Sequence, residues 1–204
     1  MMMRFVDFTK EVVGKAFPLY QGHYQLGRTS FRPAEIEGRS SSPNQDDTRL
    51  HVDAFPSMPM GGKRILRFFA NINMQKPRQW KVGEPFADVA RRFLPDIKEP
   101  SLFTPYLRRA LGLTKKRRRP YDHYMLQLHQ RMKFDAGYQQ RAVQETIDFP
   151  PGTCWFVYTD LVSHAAISGQ HVLEQTLMIE VENMKSPQKS PLRVLETQLG
   201  RPLL

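Results

Sequence analysis

Strand-like sequence occurs in two places far apart in this chain, residues 39–75 and 145–182, while residues 76–144 between them carry helical periodicity. This order constrains the fold most: a sheet begun in the first block must be completed by the second, with helices leaving from its rim. From Thr48 the first block reads TRLHVDAF, then a Pro and Gly turn PSMPMGG, then KRILRFFANIN, which predicts two antiparallel strands joined by a loop. The second block runs from QETIDF to MIEV, with turns marked at Gly152 and Gly169. In the middle, PFADVARRFLP, SLFTPYLRRALGL and YDHYMLQLHQRMKF space apolar residues at three and four. The expected class is therefore mainly β with a helical insertion (α+β), a single domain over residues 1–204. Residues 1–38 give only a weakly amphipathic start and a turn-rich segment, and residues 183–204 read as a partly linker-like tail ending in a short helix.

Hydrophobic residues make up 40% of the chain and aromatic residues 11%, enough to build a packed core and to exclude a disordered chain. The net charge of +10 predicts an anionic partner: nucleic acid, a phosphorylated substrate or an acidic membrane face. The single cysteine, Cys154, excludes an intrachain disulfide, and a cytoplasmic location is the simplest expectation. The start, MMMRFVDFTKEVVGKAFP, lacks the unbroken apolar core of a signal peptide.

Residues 51–53 read His-Val-Asp. On an extended segment side chains alternate, so His51 and Asp53 share a face. Two His and one carboxylate on one side of a metal leave open positions for substrate and dioxygen. His-x-Asp alone is common by chance, and a third ligand must come from a distant strand. His164, 113 residues further on at the end of PPGTCWFVYTDLVSH, is the natural candidate, with His171 as its rival. His123 and His129 are expected on a helix surface.

The segments SPNQDDTRLHVDAFPS, RILRFFANIN, WKVGEPF, YDHYMLQLHQRMKFD and DFPPGTCWFVYTDLVSHAAISGQHVLEQT, in order from about residue 39 to 182, resemble the Kdo 3-hydroxylase family. These are iron(II)- and 2-oxoglutarate-dependent dioxygenases acting on the Kdo sugar of bacterial lipopolysaccharide. The resemblance implies a double-stranded β-helix (jelly-roll, cupin-like) core, an Fe(II) triad of His51, Asp53 and His164, 2-oxoglutarate as co-substrate with ascorbate as reductant, and a Kdo-containing lipid A precursor as the molecule hydroxylated at C3. Family members carry a longer N-terminal portion than the 50 residues that precede His51 here.

Many 2-oxoglutarate enzymes hold the distal carboxylate with an Arg soon after the last iron ligand, yet residues 165–192 contain no Arg. Arg64 and Arg67, 13 and 16 residues past His51, are the candidates, since a guanidinium grips a carboxylate through two parallel hydrogen bonds. Three apart on one strand, they face opposite ways, and Arg67 is favoured. Thr48, Asn71, Asn73 and Gln175 are expected helpers, and Asn44, Gln45 and Asp47, just ahead of His51, are expected to line the sugar pocket.

Residues 101–119, SLFTPYLRRALGLTKKRRR, hold seven Lys or Arg and no acid. On charge alone this run reads equally as a solvated basic face. The resemblance, with its lipid-borne substrate, implies peripheral contact with an anionic membrane at the cytoplasmic face of the inner membrane, where each basic residue contributes about 1 kcal/mol. The competing reading is a non-enzymatic basic cupin-like module binding nucleic acid or acidic lipid.

Overall fold

The computed structural model describes residues 1–100 and 118–204. The basic stretch at 101–117 and the helix expected over SLFTPYLRRALGL lie outside the described residues.

Among the described residues, seven strands form two antiparallel sheets. They are β1 (Tyr24–Arg32), β2 (Arg64–Asn71), β3 (Arg78–Pro85), β4 (Glu145–Phe149), β5 (Cys154–Tyr158), β6 (Val162–Ser168) and β7 (Val172–Ile179). One sheet has the order β1-β7-β2-β5 and the other β4-β3-β6. The late block does complete the sheet begun by the early one: β2 lies between β5 and β7, with Phe69 opposite Trp155 on one side and Glu174 on the other.

Every residue of β2 is buried, because both of its faces are covered. Its outward side chains Leu66 and Phe68 pack with Phe5 and Val13 of helix α1 (Met2–Ala16), and Phe68 stacks on Phe5 and Phe156. Burying such a Phe is worth about 2 kcal/mol, so the N-terminal helix is part of the core. On the inner side Phe69, Trp155 and Val172 meet Trp80 and Ala166 of the other sheet. The outer face of the three-stranded sheet is covered by α2 (Phe86–Phe93), α3 (Pro120–Phe134) and α4 (Ala136–Arg141), whose Phe86, Leu128 and Tyr138 pack with Ala165. Proline at the first position of α3 suits the fixed φ of that site. Asp122 accepts from the Arg119, Met60 and Gly61 amides, tying the start of that helix to the loop before β2.

Four expectations need correction. The segment TRLHVDAF opens in a turn at Thr48 and joins no ladder: Leu50 bonds the Gln139 side chain, His51 forms a lone bridge with His164, and Asp53 N donates to Thr159 O. With Gln139, His164 and Thr159 as the separate partners of Leu50, His51 and Asp53, it does not pair with β2. The stretch read as wholly helical begins with β3, whose half-buried alternation is weak. The first sheet starts at β1, before residue 39, as a polar edge strand interrupted by a bulge between Leu26 and Thr29. The C-terminal tail does carry the expected short helix, but it is packed onto the core rather than linker-like. Helix α5 (Pro191–Leu199) buries Leu192 and Leu195, Leu203 is fully buried, and Gly200 closes the helix at φ 67°.

Candidate metal centre

The bridge between His51 and His164 brings together two residues 113 apart in sequence: each donates its amide to the other's carbonyl, at 3.0 and 2.9 Å. His164 lies inside β6 rather than at a strand end, because Thr159–Leu161 turn the chain between β5 and β6. Ligand atoms of His51, Asp53 and His164 all lie within 4.8 Å of one another, and all three residues are buried. His51 Nε2 stands 3.7 Å from Asp53 Oδ1. Ligands at neighbouring positions around a metal with bonds of about 2.1 Å are about 3 Å apart, so small rotations suffice.

The surroundings present the correct atoms. His51 Nδ1 is 2.7 Å from Arg49 O and His164 Nδ1 is 3.0 Å from Val162 O. A carbonyl only accepts, so each Nδ1 carries the hydrogen and each Nε2 is left with its lone pair free. Trp80 stacks against the His164 ring and His129 packs edge-on to His51, which fixes both imidazoles. Arg67 lies 2.8 Å from Asp53 Oδ2 and also pairs with Glu174. Burial alone would raise the Asp53 carboxyl, but the Arg67 guanidinium beside it holds it well below the ordinary carboxylate range. It is an anion at any working pH.

Burial, against the opposing pull of the Asp53 carboxylate, pushes His51 well below its usual value, and burial likewise lowers His164 and His129. Neutral imidazoles are the metal-binding form. As pH falls below about 6.5, the unfolded chain takes up protons that the folded metal-free protein refuses, so stability is lost in that direction. We expect the unfolding free energy of the metal-free protein, measured by urea, to fall from pH 7 to pH 5, by up to about 1.4 kcal/mol per pH unit for each such histidine. In His51→Gln/His164→Gln the slope flattens, and an equal slope there would contradict this origin.

A cavity of about 90 Å³ opens beside the triad, lined by Arg32, Asp47, Arg67, Phe69, Arg78 and Trp80 as well as the three ligands. Its wall carries buried donors without acceptors: Arg67 Nε, Arg78 Nε and Trp80 Nε1. Each unmet donor costs about 1–3 kcal/mol, so the cavity suits an acceptor-rich anion. Arg32 is already held by Glu174 at 2.6 Å and by Asp47 at 3.3 Å. Arg78 differs. Its Nη1 donates to Gly169 O, it meets no carboxylate among the described residues, and burial, with Arg32 nearby, lowers it to about 10.

The other expected site residues divide cleanly. Arg67 and Arg64 do face opposite ways, but Arg64 is sealed against Asp160 at 2.7 and 3.0 Å, both side chains 1% exposed, and cannot reach the cavity. Thr48 is exposed and bonds only Asp46. Asn71 donates to Phe149 O and Pro150 O at the β4–β5 turn and to Lys76 O in the β2–β3 loop, and Asn73 accepts from the turn that follows it. Gln175 points outward to Thr29 and Gly27. These four are structural. Asp47 lines the cavity, Gln45 a small neighbouring depression, and Asn44 is exposed, offering only its carbonyl to Lys133. His171 stacks on Phe31 at the β6–β7 turn, away from the triad, while His129 lies beside the site rather than on a free helix surface.

Arg32, Arg78 and Trp80 were not anticipated. The alternation Arg78, Trp80, Val82 was the available signal, since it places Arg78 on the face of a buried Trp.

A search of curated proteins found no match. Among solved structures, the Kdo hydroxylase KdoO, described as a non-heme Fe(II) alphaketoglutarate-dependent dioxygenase, is similar over its complex with alphaketoglutarate and Fe(III): 48% identity, TM-score 0.97, covering 100% of this chain and 69% of that one. Its apo form and its cobalt(II) complex match at 48% identity and TM-score 0.96, each covering 99% of this chain and 69% and 68% of theirs. The family model described as 3-deoxy-D-manno-oct-2-ulosonic acid (Kdo) hydroxylase matches residues 1–202. On that match the chain belongs to the Kdo hydroxylase family.

Proposed function

We propose that this chain is an iron(II)- and 2-oxoglutarate-dependent dioxygenase that hydroxylates C3 of Kdo in lipopolysaccharide or its lipid A precursors. The observation that carries this reading is the convergence of His51, Asp53 and His164 on a cavity walled by unmet donors. The two facing antiparallel sheets form the jelly-roll core of one dioxygenase domain.

His51 Nε2, His164 Nε2 and the Asp53 carboxylate would hold the iron. When bound, iron(II) with 2-oxoglutarate and dioxygen supplies the oxidising power that turns a C–H bond into C–OH, one dioxygen atom entering the hydroxyl and the other the succinate, while the oxo acid loses carbon dioxide. The protein's own part is positional. Arg49 O and Val162 O fix the imidazole tautomers, and Arg67 orients Asp53. Because Arg67 is committed to Asp53 and Glu174, we assign the distal carboxylate of 2-oxoglutarate to Arg78, the buried guanidinium without a carboxylate.

Replacing Arg78 by Gln should raise the KM for 2-oxoglutarate about a hundredfold, since a buried charged hydrogen-bond pair is lost. Steady-state kinetics would check this, and an unchanged KM would return the role to Arg67. The net charge of +10 supports peripheral contact with an anionic membrane on the cytoplasmic side. Among the described residues, no helix is long and apolar enough to cross a membrane.

To test the reading, the protein is incubated with iron(II), ascorbate, 2-oxoglutarate and Kdo-bearing lipid A, and the glycan is fragmented in a mass spectrometer. The expected product carries one added oxygen at C3 of Kdo; oxygen at another carbon would correct the position.

A further inference from the structure

The cavity beside the triad holds about 90 Å³, room for the co-substrate's reacting end and a single C–H bond but not for a sugar. Directly outside it lies a groove of about 380 Å³, and the two share Arg32 and Asp47. That volume falls in the range of small-molecule sites. The Arg32–Asp47 pair, 3.3 Å apart, stands at the junction, so a molecule seated in the groove reaches the triad past that pair.

The groove's remaining wall has two functional surfaces. Arg39 is exposed at its edge and makes no ion pair among the described residues, although other surface arginines such as Arg91, Arg92 and Arg193 are paired. Phe31, 38% exposed, presents a ring to the groove. Its other contact is a stack on His171, the one non-glycine residue with positive φ among the described residues, at 58°. Backbone held in that region costs about 1–3 kcal/mol and persists where the surroundings fix it, and here it buttresses Phe31. A cation free to accept an anion, beside an aromatic face free to lie under a ring's C–H groups, matches an acidic sugar.

We propose that this groove seats the substrate's acidic sugar, with Arg39 receiving its carboxylate or a neighbouring phosphate and Phe31 lying under the ring, an inference that rests on the hydroxylase reading. Arg39 reads the anion, and Asp47, already turned toward Arg32, faces the sugar's hydroxyls.

The test is calorimetric binding of Kdo-bearing lipid A, and of the same glycan without phosphates, to protein loaded with iron(II) and 2-oxoglutarate without oxygen. We expect Arg39→Gln to weaken binding about tenfold, the scale of one charged hydrogen bond, and Arg39→Lys to recover part of it. Phe31→Ala should weaken both ligands. An Arg39 effect on both glycans identifies the sugar carboxylate as the bound group, and an effect on the phosphorylated one alone identifies the phosphate. Wild-type affinity in Arg39→Gln, or an equal loss in Lys189→Gln outside the groove, overturns the proposal in favour of diffuse attraction to a cationic protein. If the wild type binds neither glycan, the hydroxylase reading fails with it; if it binds and turns over with Arg39→Gln unaffected, only the groove assignment fails.

Discussion

His51→Ala and Asp53→Ala are each expected to abolish stoichiometric iron binding and to lower turnover by well over a hundredfold. Loss of a mere partner of a metal ligand costs about 10–100-fold, and these residues are the proposed ligands themselves. Either change leaves two donors where three converge within 4.8 Å. The two variants should differ in stability. Asp53→Ala removes the anion that faces Arg67, which keeps Glu174, so one partner of a buried cation survives. His51→Ala removes a neutral ring and leaves a space beside His129 and His164. Iron measured by elemental analysis and succinate release measured on the same samples check both, and normal iron content in either variant would remove that residue from the triad.

Asp160→Ala is expected to destabilise the fold by about 3–5 kcal/mol, the cost of leaving a buried arginine unpaired. Asp160 grips Arg64 through two hydrogen bonds and also accepts from the Ile65 amide, while Tyr158 lies under the guanidinium at 4.3 Å. With side chains 1% exposed, neither charge can find water. Adding Arg64→Met should recover much of the loss, because the second change removes the orphaned charge. Urea unfolding measures both. A cost below about 1 kcal/mol for Asp160→Ala, a value typical of surface pairs, would mean that the pair is not sealed as described.

Arg64 and Arg67 illustrate how far the sequence reached. Their spacing told that they face opposite ways, and period-two alternation is enough for that. Which of the two faces the cavity depends on which sheet face α1 covers, and that is decided by Phe5 and Val13, some sixty residues earlier. His-x-Asp was readable because an extended segment needs no ladder to put both side chains on one side. Its bridge to His164 was not, since it depends on a turn at Thr159–Leu161 inside what reads as one continuous strand. Arg78 and Arg32 were hidden for a related reason. They sit on half-buried strands whose outward residues are polar, so their hydrophobic signal is thin, and only the closure of two sheets makes neighbours of them. Of the polar residues singled out near the motif, exposed Thr48 only closes a turn with Asp46, and the buried amides Asn71 and Gln175 satisfy backbone carbonyls, the commonest employment of such groups.

The central claim is that the three converging ligands hold an iron that oxidises Kdo. Turnover of Kdo-bearing lipid A under isotopically heavy dioxygen tests it most directly, with the product and succinate quantified together. The account predicts one heavy oxygen atom in the Kdo sugar, one in the succinate, and equal amounts of the two products, all lost in Asp53→Ala. Iron bound at one equivalent per chain with neither product formed would contradict it.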